Sequence, residues 1–141
     1  YLTALRRYGE RTSEWASTLE RPPGSPLAQL RKTFLWAAQD GTPDGRGCML
    51  VNASQERAGA CPEVQACVQQ SVRRLERAFL ALIEHARDAG EVPAGIDARG
   101  AARTLVTLLW GLRAMTRGQT SEAWLRSVVD SSLGLLAGAA G

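Results

Sequence analysis

The chain has 141 residues, a formal net charge of +3 and a composition that is 45% hydrophobic and 22% charged. This length predicts one domain with a single core, and such an apolar composition with three cysteines excludes a disordered chain and a disulfide scaffold. The 17 basic residues are spread along the sequence and no apolar run approaches the ~18 residues of a membrane span, so we expect a soluble, cytoplasmic protein without a basic DNA-binding face.

Hydrophobic residues recur with a helical period along the chain, and this pattern predicts an all-α domain. A first helix is predicted at Tyr1–Leu19. The run at residues 21–24 contains two prolines and a glycine, which cannot continue a helix. Ser25 then has the character of a helix cap with Pro26 in the first helical position, and the second helix is expected to extend to about Ala38.

The middle of the chain contains one loop, one ambiguous segment and one long helix. Residues 40–45 are rich in Gly, Pro and Asp, which is typical of a loop. The short apolar segment at residues 47–53 is compatible with either a strand or a helix. A long helix is predicted from Cys61 to about Ala89, and Gly90 is expected to end it.

Two helices at the end of the chain are apolar on more than one side. The fifth is predicted between a cap at Asp97 and a stop at Gly118, and the sixth begins at residues 120–122, with residues 134–141 expected to fray. A chain of this size cannot surround both helices, so we expect a homodimer in which they form a four-helix bundle. The predicted interface residues are Leu108, Leu112, Met115, Trp124, Val128 and Leu135.

Few residues in the sequence have the character of catalytic or metal-binding groups. His85 is the only histidine, no pair of carboxylates recurs at helical spacing on an apolar face, and no glycine-rich phosphate loop follows a strand. We therefore expect neither an enzyme, nor a metal site, nor a cofactor. Cys61 and Cys67 are poorly spaced for a metal or a disulfide, whereas Cys48 lies in an apolar stretch and is a candidate redox-sensing thiol.

Five short segments, in the same order as in a known family, carry a resemblance to that family. Gly47-Cys48-Met49-Leu50-Val51-Asn52, followed by Glu56, resembles the segment that opens the short sixth helix of TetR-type bacterial transcriptional regulators. The other matching segments are residues 1–8, residues 90–93 with Asp97, Ala101 and Ala102, residues 109–112 with Arg117 and Gly118, and Leu125, Val128, Val129 and Leu133.

The resemblance implies an all-helical domain of six helices over residues 1–141, equivalent to the family's helices four to nine and dimeric through the last two. Residues 1–20 would be the lever helix that transmits ligand binding to a DNA-reading unit. The family's helix-turn-helix head should precede Tyr1 and is absent from this chain. We therefore interpret the chain as a fragment or processed product, which would contact operator DNA only through that missing N-terminal domain.

The resemblance also implies a small-molecule pocket between the helices. We expect it to be apolar with few polar groups, suited to an apolar or aromatic effector, with Arg103 and Arg113 as the candidates for a charge inside it. Asn52 would orient the ligand through a hydrogen bond. The predicted ligand-binding residues are Phe34, Met49, Asn52, Phe79, Ile83 and Trp110.

These expectations predict the effector-sensing and dimerisation domain of a transcriptional regulator, most simply a repressor that its ligand releases from DNA. Two alternatives remain open. The same scaffold could sense oxidants or electrophiles through Cys48. Alternatively, the chain could be a helical interaction module without a ligand, in which case its core would contain no cavity.

Overall fold

The computed structural model describes residues 1–39 and 46–138, and every regular element in these ranges is an α-helix. The all-α prediction is therefore confirmed. None of the described helices combines the length and the hydropathy that crossing a membrane requires. The helices are α1 (Leu2–Leu19), α2 (Pro26–Ala38), α3 (Met49–Glu56), α4 (Pro62–Asp88), α5 (Ala98–Arg117) and α6 (Glu122–Gly138).

Local capping contacts begin the helices where the sequence predicts them. The Ser25 hydroxyl accepts a hydrogen bond of 3.1 Å from the backbone N–H of Ala28, and Pro26 opens α2. The Asp97 carboxylate accepts one of 3.0 Å from the Gly100 N–H and begins α5. Both contacts satisfy backbone donors that a helix leaves unpaired in its first turn.

Two glycines adopt left-handed backbone conformations: Gly90 follows the end of α4, and Gly47 precedes α3. Gly90 has a φ of +75°, and the following N–H, of Glu91, donates to the Ala86 carbonyl at 2.9 Å, which closes α4 as predicted. Gly47 has a φ of +68°, and a Cβ at this position would lie 3.4 Å from the side chain of Arg117. Glycine at position 47 therefore lets the chain turn into α3 beside α5.

Two segments are more helical than the sequence indicated. The ambiguous segment at residues 47–53 enters α3, a helix of 8 residues that depends on tertiary packing because helices this short are marginal alone. We expected the chain to fray from Gly134, but α6 continues to Gly138, because Leu133 is buried and Leu136 packs against the core. The predicted loop at residues 40–45 and the end of the chain at residues 139–141 lie outside the described residues.

The central helix is α4, which packs most extensively against α5 and α1. The main core lies between α2, α4, α5 and α6, and there Phe34 and Phe79 are fully buried and stack with ring centroids 5.7 Å apart. A second cluster, which includes Leu5, Leu50 and Val64, lies between α1, α3 and α4. The cavity that forms the candidate site is lined by residues from each of the two clusters, and Trp110 belongs to both.

Candidate functional site

A cavity of about 240 Å³ is lined by residues from five of the six helices. The helix α1 supplies Tyr8, Arg11, Thr12 and Trp15, whose spacing places them on one side of that helix. We call this space the aromatic cavity, since its lining includes one tyrosine and three tryptophans. The other walls come from α2, from α3 with the residue before it, from α4 and from α5, and they consist of Trp36, Cys48, Leu50, Val51, Leu75, Leu109, Trp110 and Arg113.

Aromatic rings form the wall between α1 and α2. The ring centroids of Trp15 and Trp36 are 6.0 Å apart, and the two ring planes are inclined by 40°. Trp36 is 50% exposed, so this side of the cavity is open to solvent. A planar apolar ligand could therefore enter beside Trp36 and bury its rings against this wall.

Arg113 brings a positive charge into the interior of the domain. The residue is 7% exposed, and its guanidinium carbon lies 5.1 Å from the centroid of the Trp36 ring. Its Nη1 atom is buried without a hydrogen-bond partner, and none of the ion pairs in the described part of the chain includes it. The other candidate for an internal charge, Arg103, is exposed and instead binds Glu76 at 3.0 Å on the surface.

Tyr8 connects the first helix, α1, to the start of α3. Burial, together with the charge of Cys48 and a hydrogen bond to its side chain, raises the pKa of Tyr8 to about 12. Arg113 and the backbone of Met49 act in the opposite direction but do not outweigh burial. The Tyr8 phenol therefore stays protonated at physiological pH and can hydrogen-bond as a neutral group.

A more polar groove of about 600 Å³ lies next to the aromatic cavity, and it includes Tyr8 and Arg11 in its own lining. We call it the adjacent groove. Met49 and Asn52 line it on the α3 side. The Asn52 side-chain amide donates a hydrogen bond of 2.7 Å to the Arg46 carbonyl, so Asn52 holds the backbone that leads into α3.

The chain matches the family model described as tetracyclin repressor-like, C-terminal domain, over residues 26–131. It belongs to this TetR-like family. Domains of this family are regulatory and generally non-enzymatic, and they typically dimerise and bind small-molecule effectors. Searches of curated proteins and of solved structures gave no match. The resemblance deduced from residues 47–56 and the other segments is thus confirmed at the level of the family.

The TetR-like domain separates the predicted ligand-binding residues into three groups. Trp110 lines the aromatic cavity, whereas Met49 and Asn52 line the adjacent groove. Three predicted residues are fully buried in the main core and do not line the aromatic cavity: Phe34, Phe79 and Ile83. The structure thus brings the predicted set only partly together.

Sequence reasoning missed most of the aromatic wall. Tyr8, Thr12 and Trp15 line the aromatic cavity from one side of α1, but none of them is among the predicted ligand-binding residues. Trp36 is only two residues from Phe34, yet it faces the cavity whereas Phe34 faces the core. Helical period shows that these two side chains point in different directions, but tertiary packing decides which of them borders empty space.

A second surface of the TetR-like domain is an apolar groove of about 560 Å³ between α5 and α6. We call it the α5–α6 groove. Trp124 is 51% exposed and Met115 is 37% exposed, although both are large and hydrophobic. Five of the six predicted dimer residues line this groove: Leu108, Leu112, Met115, Trp124 and Val128. The sixth, Leu135, is 79% exposed and falls on the same side of α6 as Trp124 and Val128.

The three cysteines of the TetR-like domain are unpaired and partly buried. Cys61 forms a 3.3 Å hydrogen bond with Glu63, and burial raises the pKa of the Cys67 thiol. Cys48 alone lines the aromatic cavity. Within residues 1–39 and 46–138, no group of three or more His, Cys, Asp or Glu side chains is arranged to hold a metal ion.

Proposed function

We propose that this chain is the effector-sensing and dimerisation domain of a TetR-type transcriptional regulator, and that a small aromatic or apolar ligand binds in the aromatic cavity. The observation that carries the proposal is that α1, the lever helix, forms one wall of this cavity through Tyr8, Arg11, Thr12 and Trp15. A cavity with such a lining also counts against a ligand-free interaction module. The regulator would act as a repressor that the bound ligand releases from DNA.

The proposed mechanism is a two-state equilibrium of α1. A ligand that contacts both α1 and α5 binds more tightly to the arrangement of α1 that fits it, and it shifts the equilibrium by that difference in affinity alone. Tyr8 would transmit the movement of α1 to α3, because its hydroxyl forms a hydrogen bond with the side chain of Cys48, the residue before α3. Met49 and Asn52 would contact the parts of a larger ligand that extend into the adjacent groove.

The two half-exposed tryptophans test this site as a matched pair. We expect Trp36→Ala to weaken binding of the probe 2-naphthol about tenfold, because an aromatic wall is lost. Trp124→Ala removes a ring that is 51% exposed, against 50% for Trp36, but lies outside the cavity. Because Trp124 is also a proposed interface residue, both variants are compared at a concentration at which native mass spectrometry shows the same oligomeric state, and there this control should change the affinity less than about twofold. Isothermal titration calorimetry gives both values, and equal losses would contradict the proposed site.

A thiol sensor on the same scaffold is the second candidate, and it is favoured by the position of Cys48 in the cavity wall beside Tyr8. On the ligand-sensor proposal, Cys48→Ser should keep the 2-naphthol affinity within about threefold, because the thiol contributes little contact area. Mass-spectrometric alkylation with iodoacetamide should also label Cys48 more slowly when 2-naphthol is present. Peroxide treatment that abolishes 2-naphthol binding in the original chain but not in Cys48→Ser would instead support the thiol sensor.

The α5–α6 groove supports a homodimer. It exposes apolar side chains from both helices, and α5 and α6 pack closely against other helices rather than against each other. We propose that the two copies bury Leu108, Met115, Trp124 and Val128 against one another across a twofold axis, with Leu112 behind them and Leu135 farther along α6.

A further inference from the structure

Arg113 places a buried guanidinium without a full set of hydrogen-bond acceptors in the wall of the aromatic cavity. Arg113 is 7% exposed and its Nη1 atom has no hydrogen-bond partner. A guanidinium has five donors and no acceptor, and it keeps its charge at every accessible pH, so only an acceptor can satisfy it. The guanidinium lies over the face of Trp36, and that contact does not supply a hydrogen-bond acceptor for Nη1.

The charged residues that line the aromatic cavity within residues 1–39 and 46–138 have one sign. Arg11 and Arg113 contribute two positive charges, and no aspartate or glutamate of these ranges is among the lining residues. Several exposed arginines have an ion-pair partner, as Arg117 has in Glu56 one helical turn beyond Arg113, whereas the buried Arg113 has none in the described part of the chain. The pKa of Tyr8, raised by burial, keeps that phenol neutral, so it adds no negative charge to the cavity. An occupant with a negative charge would therefore be attracted.

The aromatic residues of the lining indicate the shape and polarity of the rest of the ligand. Tryptophan rings from three helices, Trp15, Trp36 and Trp110, offer flat apolar surfaces. A closed cavity of about 150 Å³ holds one benzene molecule. The aromatic cavity, of about 240 Å³, has space for one substituted ring, or for two fused rings that reach the open side beside Trp36.

We infer that the effector is a small aromatic monocarboxylate, whose carboxylate pairs with Arg113 while its ring lies between the tryptophans. The inference rests on the proposed function, since it specifies the ligand class of the same cavity. A carboxylate is planar and accepts two parallel hydrogen bonds from one guanidinium. A monoanion is also favoured over a phosphate dianion, because a single buried cation can neutralise it in an otherwise apolar wall.

Two isosteric probes test this inference: 2-naphthoate, which is an anion at neutral pH, and 2-naphthamide, which is neutral. By isothermal titration calorimetry at pH 7.5, the original chain should bind the carboxylate about tenfold more tightly than the amide. Arg113→Met should reduce the affinity for the carboxylate by about tenfold and leave that for the amide within about twofold. The matched control is Arg103→Met, which removes an exposed arginine from the same helix and should change neither affinity.

The outcomes separate the two levels of the proposal. Equal affinity of the original chain for both probes, or an Arg113→Met variant that binds both as before, would overturn the anion inference and leave the aromatic cavity as the ligand site. Failure of both probes to bind the original chain would overturn the inference together with the proposed function. If Arg113→Met does not fold, as circular dichroism would reveal, the comparison of the two probes on the original chain still decides the question.

Discussion

Replacing Phe79 by alanine is expected to lower the free energy of unfolding by about 3 to 5 kcal/mol. The Phe79 ring is fully buried and stacks on Phe34, with centroids 5.7 Å apart and planes inclined by 25°. Removing it leaves a cavity between α2 and α4 that neighbouring side chains can fill only in part. Urea unfolding followed by circular dichroism at a fixed protein concentration measures the loss, which is a large fraction of the stability of a domain of this size.

The same position distinguishes packing from ligand binding. Phe79→Leu keeps most of the buried volume and should leave the affinity for 2-naphthol unchanged, because Phe79 does not line the aromatic cavity. A loss of less than about 1 kcal/mol on Phe79→Ala, or a clear loss of ligand affinity in Phe79→Leu, would contradict the assignment of this ring to the core. The loss of affinity in Phe79→Leu would return Phe79 to the set of ligand-binding residues.

Introducing a charge into the α5–α6 groove is expected to dissociate the proposed dimer. In Val128→Asp a carboxylate would replace an apolar contact twice, once in each copy. The basic residue in the described lining of the groove, Arg103, is already paired with Glu76. At a cost of about 2 kcal/mol or more per copy, the dissociation constant should rise by about 1,000-fold. Native mass spectrometry should then show a change from twice 15.2 kDa to a single chain of 15.2 kDa.

A control on the same helix makes this result specific. Arg126 is exposed, pairs with Glu122 and lies on the far side of α6 from Val128. Arg126→Asp introduces the same carboxylate without touching the groove, so it should leave the mass unchanged. If Val128→Asp stays dimeric, or if both variants become monomeric, the interface lies elsewhere. Circular dichroism of each variant shows whether the helices remain folded.

The fold was predictable from the sequence wherever local chemistry decides it. Ser25 with Pro26, Asp97 and Gly90 each determine a helix end through their own side chain or backbone, so their positions could be deduced without tertiary information. The segment at residues 47–53 could not, because α3 has 8 residues and owes its conformation to the surfaces around it.

The candidate site was predictable only in part, for a related reason. A cavity is a space that several helices leave unfilled, and periodicity on one helix does not report it. Trp110 and the burial of Arg113 could be suspected from α5 alone, since both lie in an apolar helix. By contrast, Trp36 lines the cavity from α2 instead of the predicted Phe34, and this depends on where α1 and α5 approach that helix.

The helix α5 lines both the aromatic cavity and the α5–α6 groove, and this arrangement determines how many effectors a dimer would bind. Leu109, Trp110 and Arg113 line the aromatic cavity, while Leu108 and Leu112 line the α5–α6 groove on another side of the same helix. Each cavity is built from one chain, so a dimer formed through the groove would hold two complete sites and saturate at two effectors. Because α5 also contributes to the shared interface, occupancy of the first site would alter affinity at the second, and the steepness of the saturation curve would measure that cooperativity.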